Sequence, residues 1–366
     1  MDPEKILKDL MDVARQAADP YPATLKNLPN PPQGKLFILS SGKAAGPMAY
    51  AAAGKYKGRF DGILVAPTGY LDLVLPFRCF EGSHPLPTSE NVRLTTQVVA
   101  GVKALGEGDM FLALISGGTS ALLCSPLGVT LAEKIRITEE LLKSGAGIAE
   151  INRVRKKLSA VKGGKLGKMA HPARVETLLI SDVAGDDPAI IGSGPTGGGK
   201  IILKSDDMLA AVTDAALQQG ISVSNLGGAV TGEAREVARD HAGLVKGYYG
   251  RRPHLILSGG ETSVTVTGNG RGGRNSEYAL ALAIALEGEA GVYALSLDSD
   301  GHDGTGPHAG ALVTPETLEG AGKAGLDPEK SLKNNDSGGF FKALNDLIIT
   351  GPTFTNLNDL RMILMV

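Results

Sequence analysis

Short apolar runs that end in glycine recur along this chain, and they limit its fold more than any other feature. Lys35–Ser40 (KLFILS) leads into Ser41-Gly42, and Asp109–Ile115 (DMFLALI) into Ser116-Gly117-Gly118-Thr119-Ser120. Glu176–Ile180 (ETLLI) ends in Ser181-Asp182, and Gly62–Ala66 (GILVA) is a further run. Helix-like stretches at Ala44–Ala53, Glu133–Gly145 and Asn152–Leu158 lie between them. Uninterrupted apolar strands alternating with helices predict a parallel sheet covered on both faces. Glycine makes up 50 of the 366 residues and gathers mostly just after these runs, as in loops at the carboxyl ends of parallel strands.

The length predicts two domains. Gly247–Pro253 (GYYGRRP) breaks the pattern, so the expected division is 1–248 and 249–366. Helices are read at Asp206–Gln219, Thr231–Ala242 and Asn275–Leu286, with strands at Val223–Asn225, His254–Leu257, Ser263–Thr267, Val292–Leu297 and Gly310–Val313. The apolar end of Asp346–Leu364 is expected in a core, and the last residues could return to the first domain.

A formal charge of −2 excludes a general electrostatic grip on nucleic acid or an anionic membrane, so any basic site must be local. Cys79 and Cys124 are too few for a disulfide framework or a metal cluster. The start, MDPEKILKDLMDVARQA, reads as an amphipathic helix and not a signal peptide, and no apolar run reaches membrane-span length. A soluble cytoplasmic protein, monomer or homodimer, is expected.

Several turns carry anion chemistry. Ser41-Gly42-Lys43 sits at a strand-to-helix turn, where helix-start N–H groups and a lysine charge favour an anion. Ser116–Ser120 can form a backbone nest, or an ordinary helix cap. Gly192-Ser193-Gly194-Pro195-Thr196 offers a second cradle. Asp182, at a strand end, is the best-placed Mg²⁺ ligand, with Asp186 and Asp187 read as turn residues. In Leu297–Gly310, Asp298, Asp300 and Asp303 alternate with glycine beside His302 and His308. This loop lacks the terminal Glu of an EF-hand and suits Mg²⁺ placement or base work near a phosphate.

A literal G-x-G-x-x-G stands at Gly268, Gly270 and Gly273, before Arg274 and a helix. A dinucleotide fingerprint needs a buried strand feeding it. Ser263–Thr267 alternates Thr and Val instead, and only Ser258–Thr262 joins it to the strand before. So short a link predicts a hairpin. The glycines are then the exit of that hairpin, and the working part is the Arg271–Arg274 turn.

Taken together, SGKAA (Ser41–Ala45), SHP (Ser83–Pro85), SGGTSALL (Ser116–Leu123), NRVRKKLSAVKGGKL (Asn152–Leu166), ISDVAGDD…GSGPT (Ile180–Thr196), LSGGETSVTVTGNGRGGRNSE (Leu257–Glu277), DSDGHDG (Asp298–Gly304) and GPTFTNLNDL (Gly351–Leu360) resemble the class II glycerate kinases. The resemblance implies a larger Rossmann-like three-layer α/β domain with a parallel sheet and a smaller C-terminal MOFRL-type α/β domain, with the active site in the cleft between them. It implies ATP-dependent phosphorylation of D-glycerate to 2-phosphoglycerate, with Lys43 and Arg274 as catalytic residues. Lys157, Thr88, Phe354 and Ser337-Gly338-Gly339 depart from the family pattern, which bears on substrate loops and regiochemistry.

Under this resemblance Lys43 and Arg274 flank the transferred phosphoryl group, and Ser116, Gly117, Gly118, Thr119, Ser120, Gly192, Ser193, Gly194 and Thr196 hold nucleotide phosphates. Ser41, Gly42, Arg153, Arg155 and Arg271 face the substrate, and Asp182 with Asp300 holds Mg²⁺ or its waters. The rival readings are an NAD(P)H-dependent hydroxypyruvate reductase and a non-catalytic nucleotide or sugar-phosphate sensor.

Overall fold

A computed structural model describes residues 2–71, 74–143, 148–304 and 306–366. The chain forms two compact units, one of Asp19–Lys204 with Phe354–Asn356, the other of Met1–Ala18, Ser205–Thr353 and Leu357–Val366.

The first unit is built on β1 (Leu36–Ser41), β2 (Asp61–Pro67), β3 (Arg78–Gly82), β4 (Met110–Ile115), β5 (Arg174–Ile180) and β6 (Lys200–Leu203). They form one sheet in the order β3-β2-β1-β4-β5-β6, and every neighbouring pair is parallel. This is the strand order of a doubly wound Rossmann sheet. The four expected apolar runs are β1, β2, β4 and β5. Both faces are covered, as their composition requires. Ile63 and Val65 of β2 pack with Leu94, Val98 and Val102 of the helix Ser89–Lys103, while Leu64 and Ala66 pack with Ala45 and Ala49 of the helix Ala45–Tyr56. Each fully buried aliphatic or aromatic side chain of such a core contributes about 1.5–3 kcal/mol. The expected helix Glu133–Gly145 is found as Leu131–Lys143, and its last two expected residues lie outside the described residues.

The sequence reading missed β3 and β6, the two edges of the sheet. β3 reads Arg-Cys-Phe-Glu-Gly and is largely exposed, so it carries no apolar run to recognise.

The second unit contains β7 (Ser222–Asn225), β8 (Gly232–Glu233), β9 (His254–Gly260), β10 (Thr262–Ser263), β11 (Val292–Asp298), β12 (Gly310–Val313), β13 (Leu347–Ile348) and β14 (Asp359–Met365). Its main sheet runs β13-β12-β11-β14-β9-β7 and is antiparallel except where β7 meets β9. The terminal apolar run is β14, buried along its whole length between β9 and β11.

Two expectations are corrected here. The compact units do not divide at 248/249, because β7 lies beside β9 in register from Ser222↔His254 to Asn225↔Leu257. That ladder ties residues before the GYYGRRP turn to the second unit, which also takes in the N-terminal helix Pro3–Ala17 against the helix Ser205–Gln218. Nor do β9 and the segment after it form a hairpin. Both edges of β9 are already taken by β7 and β14, and β10 pairs in parallel with β8 instead. The expected strand Ser263–Thr267 shrinks to Thr262–Ser263.

Candidate active site

In the parallel unit, β1 lies between β2 and β4, so the strand order reverses at the β1/β4 pair. Ligands of open α/β sheets bind outside the carboxyl ends of the strands at such a point. The two turns expected to bind anions lie side by side there. The Ser116 N–H donates to Ser41 O at 3.0 Å, Lys43 N–H to Gly117 O at 2.9 Å and Ala44 N–H to Ser116 Oγ at 3.1 Å. The Thr119 hydroxyl donates to Ser41 O at 2.7 Å.

These bonds divide the roles of the two turns. The N–H groups of Gly42, Lys43 and Ala44 are all committed within the protein, so this turn offers a side chain and not a backbone nest. Gly42 is required for the close approach: its φ is +118°, and a Cβ there would lie 2.2 Å from Ser116 Oγ. Across the pair, the N–H groups of Gly117 and Gly118 find no acceptor among the described residues. Gly118 is left-handed (φ +88°) and opens the helical turn Thr119–Leu122, close to His84 and the Lys43 side chain. The buried Ser41 hydroxyl also lacks a partner among the described residues. Two adjacent N–H groups and a hydroxyl without acceptors among the described residues, beside a lysine, are the donors an anion site needs.

Ser120, one residue further, is held by cations. Its Oγ accepts from Arg155 at 2.6 Å and Lys162 Nζ at 3.1 Å and is 2.7 Å from Ser193 Oγ, while Lys162 also donates to the Ser120 carbonyl. The Gly192-Ser193-Gly194 segment is left-handed at all three residues. Its Ser193 and Gly194 N–H groups are bonded to Ile190 and Ile191, and its carbonyls accept from Gly163 and Gly164. It braces Ser120 with one hydroxyl. Thr196 turns elsewhere, to Thr177 Oγ1 at 3.0 Å and Gly198 O at 3.1 Å. Arg153 is exposed on the helix Ile148–Lys157, which also carries Arg155.

The mixed unit holds the other expected residues. Arg274 opens the helix Arg274–Leu286, donating from Nε to Asp359 at 2.8 Å and from a terminal nitrogen to Asp298, with Glu261 at 3.7 Å from the remaining one. Burial opposes its charge, but Asp359, Asp298 and Glu261 outweigh burial and hold its pKa above the ordinary arginine value. Arg274 lines a cavity of about 350 Å³ together with Thr262, Gly272 and Glu277. The helix start itself is occupied: Asp303 accepts from the Asn275 and Ser276 N–H groups, each at 2.8 Å. Arg271 is exposed and lines a separate cavity of about 500 Å³ with His308 and Lys342.

The G-x-G-x-x-G has a packing explanation. A Cβ on Gly268 or Gly270 would lie within 2.3–2.6 Å of the backbone of Asn334 or Asp336. The N–H groups of Gly268, Asn269, Gly270 and Arg271 donate to Asn335, Asn334, Asn334 and Asp336 in turn. These donors are therefore committed, with none of the four left for a pyrophosphate.

A kinase metal would be Mg²⁺, commonly held by one or two carboxylates with phosphate oxygens and water. Among the described residues no three His, Cys, Asp or Glu side chains gather as ligands. Asp182 fits the sparser set, its Oδ2 accepting from Asn356 Nδ2 at 3.1 Å beside Gly117. Asp300 fits less well, since its Oδ1 accepts the His302 N–H at 2.8 Å within its own loop. The sequence reading gave no role to Lys162, which reaches Ser120 from beyond the helix; its only local signal is the glycine pair that follows it.

Residues 1–224 match the family described as a domain of unknown function (DUF4147), and residues 254–359 match the MOFRL family. The chain is 39% identical to a protein of Agrobacterium vitis provisionally named a hydroxypyruvate reductase, covering 99% of this chain and 94% of that one. It is 36% identical to the D-glycerate 2-kinase of Thermotoga maritima over the full length of both. The crystal structure of a glycerate kinase from Thermotoga maritima superposes with a TM-score of 0.89 at 34% identity, covering 99% of each chain. With a DUF4147 segment, a MOFRL segment and this doubly wound sheet in one chain, the protein belongs to the class II glycerate kinase family.

Proposed function

We propose that the protein transfers the γ-phosphoryl group of ATP to D-glycerate, giving 2-phosphoglycerate and ADP. The observation that carries this reading is the full-length similarity to the Thermotoga maritima D-glycerate 2-kinase. The anion site at the strand-order reversal supplies chemistry that suits it. A glycerate oxygen bonds to phosphorus, the bond from the γ-phosphorus to its bridging oxygen breaks, and the hydroxyl proton passes to a base or to water. Little covalent chemistry falls to the protein, so its tasks are alignment and charge neutralisation.

In this reading Lys43 and the Gly117 and Gly118 N–H groups meet the phosphoryl oxygens, with Ser41 and Gly42 on the substrate side. Ser116, Thr119 and Ser120 shape the nucleotide turn, and Gly192, Ser193, Gly194 and Thr196 support it from behind. Arg274, held by Asp359, Asp298 and Glu261, brings its guanidinium charge to the transferred group. Arg271 is assigned to the glycerate carboxylate, and Arg155 orients Ser120. A bound Mg²⁺ would neutralise phosphate charge, with Asp182 as its main ligand and Asp300 as a second. Both cysteines are free, which suits a reducing cytoplasm.

Phosphorus NMR of a mixture of ATP, Mg²⁺, D-glycerate and protein tests the reading. A 2-phosphoglycerate signal with matching ADP is expected, and the absence of any phosphorylated glycerate overturns it. Replacing Lys43 or Arg274 by alanine should lower turnover by about 10²–10³-fold, as removing a transition-state charge ligand commonly does.

A further inference from the structure

Behind Ser120, the parallel unit gathers basic side chains, several of them without an ion pair among the described residues. Lys162 is 2% exposed, and Lys134 is nearly as buried, with Nζ 3.6 Å from Cys124 Sγ. Among the described residues none of Lys134, Arg155, Lys156, Lys157, Lys162 and Lys165 makes an ion pair. Their donors go to neutral acceptors: Lys156 to Ala189 O at 3.1 Å, Lys165 to Lys156 O at 2.9 Å, Lys162 to Ser120. Beside them is a cavity of about 560 Å³ lined by Arg153, Lys156, Lys157, Lys162 and Lys165, with Asp187 as its one acidic residue. One Asp187 oxygen already accepts the Ala189 N–H at 2.8 Å.

Buried cations without counter-charges are destabilising, and burial followed by the repulsion of Arg155 and Lys134 holds the Lys162 pKa well below the usual lysine range. A fold that keeps such a cluster has a use for it when an anion arrives. We infer that this cavity receives the triphosphate chain of a nucleotide, with Lys156, Lys157 and Lys165 as its ligands and Lys162 linking it to the Ser120 turn. Charge selects the ligand class. A glycerate carboxylate brings a single negative charge to a lining that includes Lys156, Lys157 and Lys165, none of them ion-paired among the described residues, whereas a triphosphate brings several on adjacent groups. Lysines act here as point charges along a flexible chain, a role that needs no bidentate geometry.

The nucleotide in this inference rests on the phosphoryl-transfer reading above, but its main readout, polyanion binding, does not need turnover. Calorimetry on the full chain would compare ATP and inorganic tripolyphosphate, each at fixed low salt, with D-glycerate KM measured alongside. The double substitution Lys156→Gln, Lys157→Gln removes two charges from partly and fully exposed positions, so folding is expected to survive; Lys157→Gln alone is the milder control. Expected are wild-type binding of both polyanions and a rise of at least tenfold in both Kd values for the double variant, with glycerate KM unchanged. Unaltered Kd values overturn the inference, as does a rise in glycerate KM alone. Tripolyphosphate binding without ATP binding overturns the nucleotide assignment. Absent turnover with intact, lysine-dependent ATP binding would instead sink the kinase reading and leave the cavity assignment standing.

Discussion

Ser116–Ser120 and Gly268–Gly273 are both glycine turns that lead into a helix, and the sequence invites the same reading of each. They differ in what happens to their N–H groups. In the first, Gly117 and Gly118 keep their donors free among the described residues. In the second, Asn334, Asn335 and Asp336 take the donors one after another, and Asp303 takes the helix start. Glycine is needed in both, for different reasons. At Gly117 a side chain would intrude on Asp182 and Asn356, and at Gly268 on the Asn334 backbone. A glycine-rich turn becomes an anion cradle only when its donors remain unpaired, so hydrogen-bond pairing and not composition separates the two.

The largest effect that can break this distinction is on catalysis. Gly117→Ala puts a Cβ 2.2 Å from Asp182 Oδ2 and Asn356 Nδ2 and displaces the free donors. Turnover of ATP with D-glycerate should fall about 10²-fold or more, the loss typical of misplacing preorganised donors. The comparison is with Gly268→Ala, assayed per folded molecule, which should keep most of its turnover. If Gly117→Ala retains near-normal rates while Gly268→Ala does not, the roles of the two turns are reversed.

The same contrast explains how much was legible in the sequence. β1, β2, β4 and β5 could be read because a strand buried on both faces has to be apolar throughout. β3 could not, because an edge strand reading Arg-Cys-Phe-Glu-Gly meets solvent and carries no pattern. The Ser116–Ser120 turn was recognisable from its letters, whereas the Lys162 cluster was not, since a lysine letter says nothing about whether a counter-charge will be near. The expected hairpin after β9 does not form, because a short linker alone does not decide which strand edges are free. The strand's partners β7 and β14 come from distant parts of the chain and had already filled both edges. Long-range pairing decided that element, as it decided which unit residues 205–248 joined.

Stability should respond at the second turn. Gly268→Ala and Gly270→Ala each force a Cβ to within 2.6 Å of backbone atoms of Asn334. The loop must shift, at a cost of about 1–3 kcal/mol for overpacking, measurable by urea unfolding. With NADH and hydroxypyruvate the wild-type protein should leave the nicotinamide absorbance unchanged, because the donors a pyrophosphate would need are already bonded. Oxidation of NADH that Gly270→Ala abolishes without loss of stability would restore the dinucleotide fingerprint.

The smallest effect concerns the helix that follows this turn. Asp303 is fully buried and accepts from the Asn275 N–H, the Ser276 N–H and the Ser276 hydroxyl, at 2.8, 2.8 and 2.6 Å. It occupies the place an anion would take at a helix start. Asp303→Ala leaves those donors unpaired and should cost about 0.5–2 kcal/mol, the range for losing a helix-start acceptor. Asp303→Asn keeps one acceptor oxygen and should cost less. If the helix start is instead a ligand site, added inorganic phosphate should stabilise Asp303→Ala more than the wild type, as a surrogate anion filling the gap. Equal stabilisation of the two would leave Asp303 as a structural cap and Arg274 held by carboxylates of its own unit, independent of any anion at the helix start.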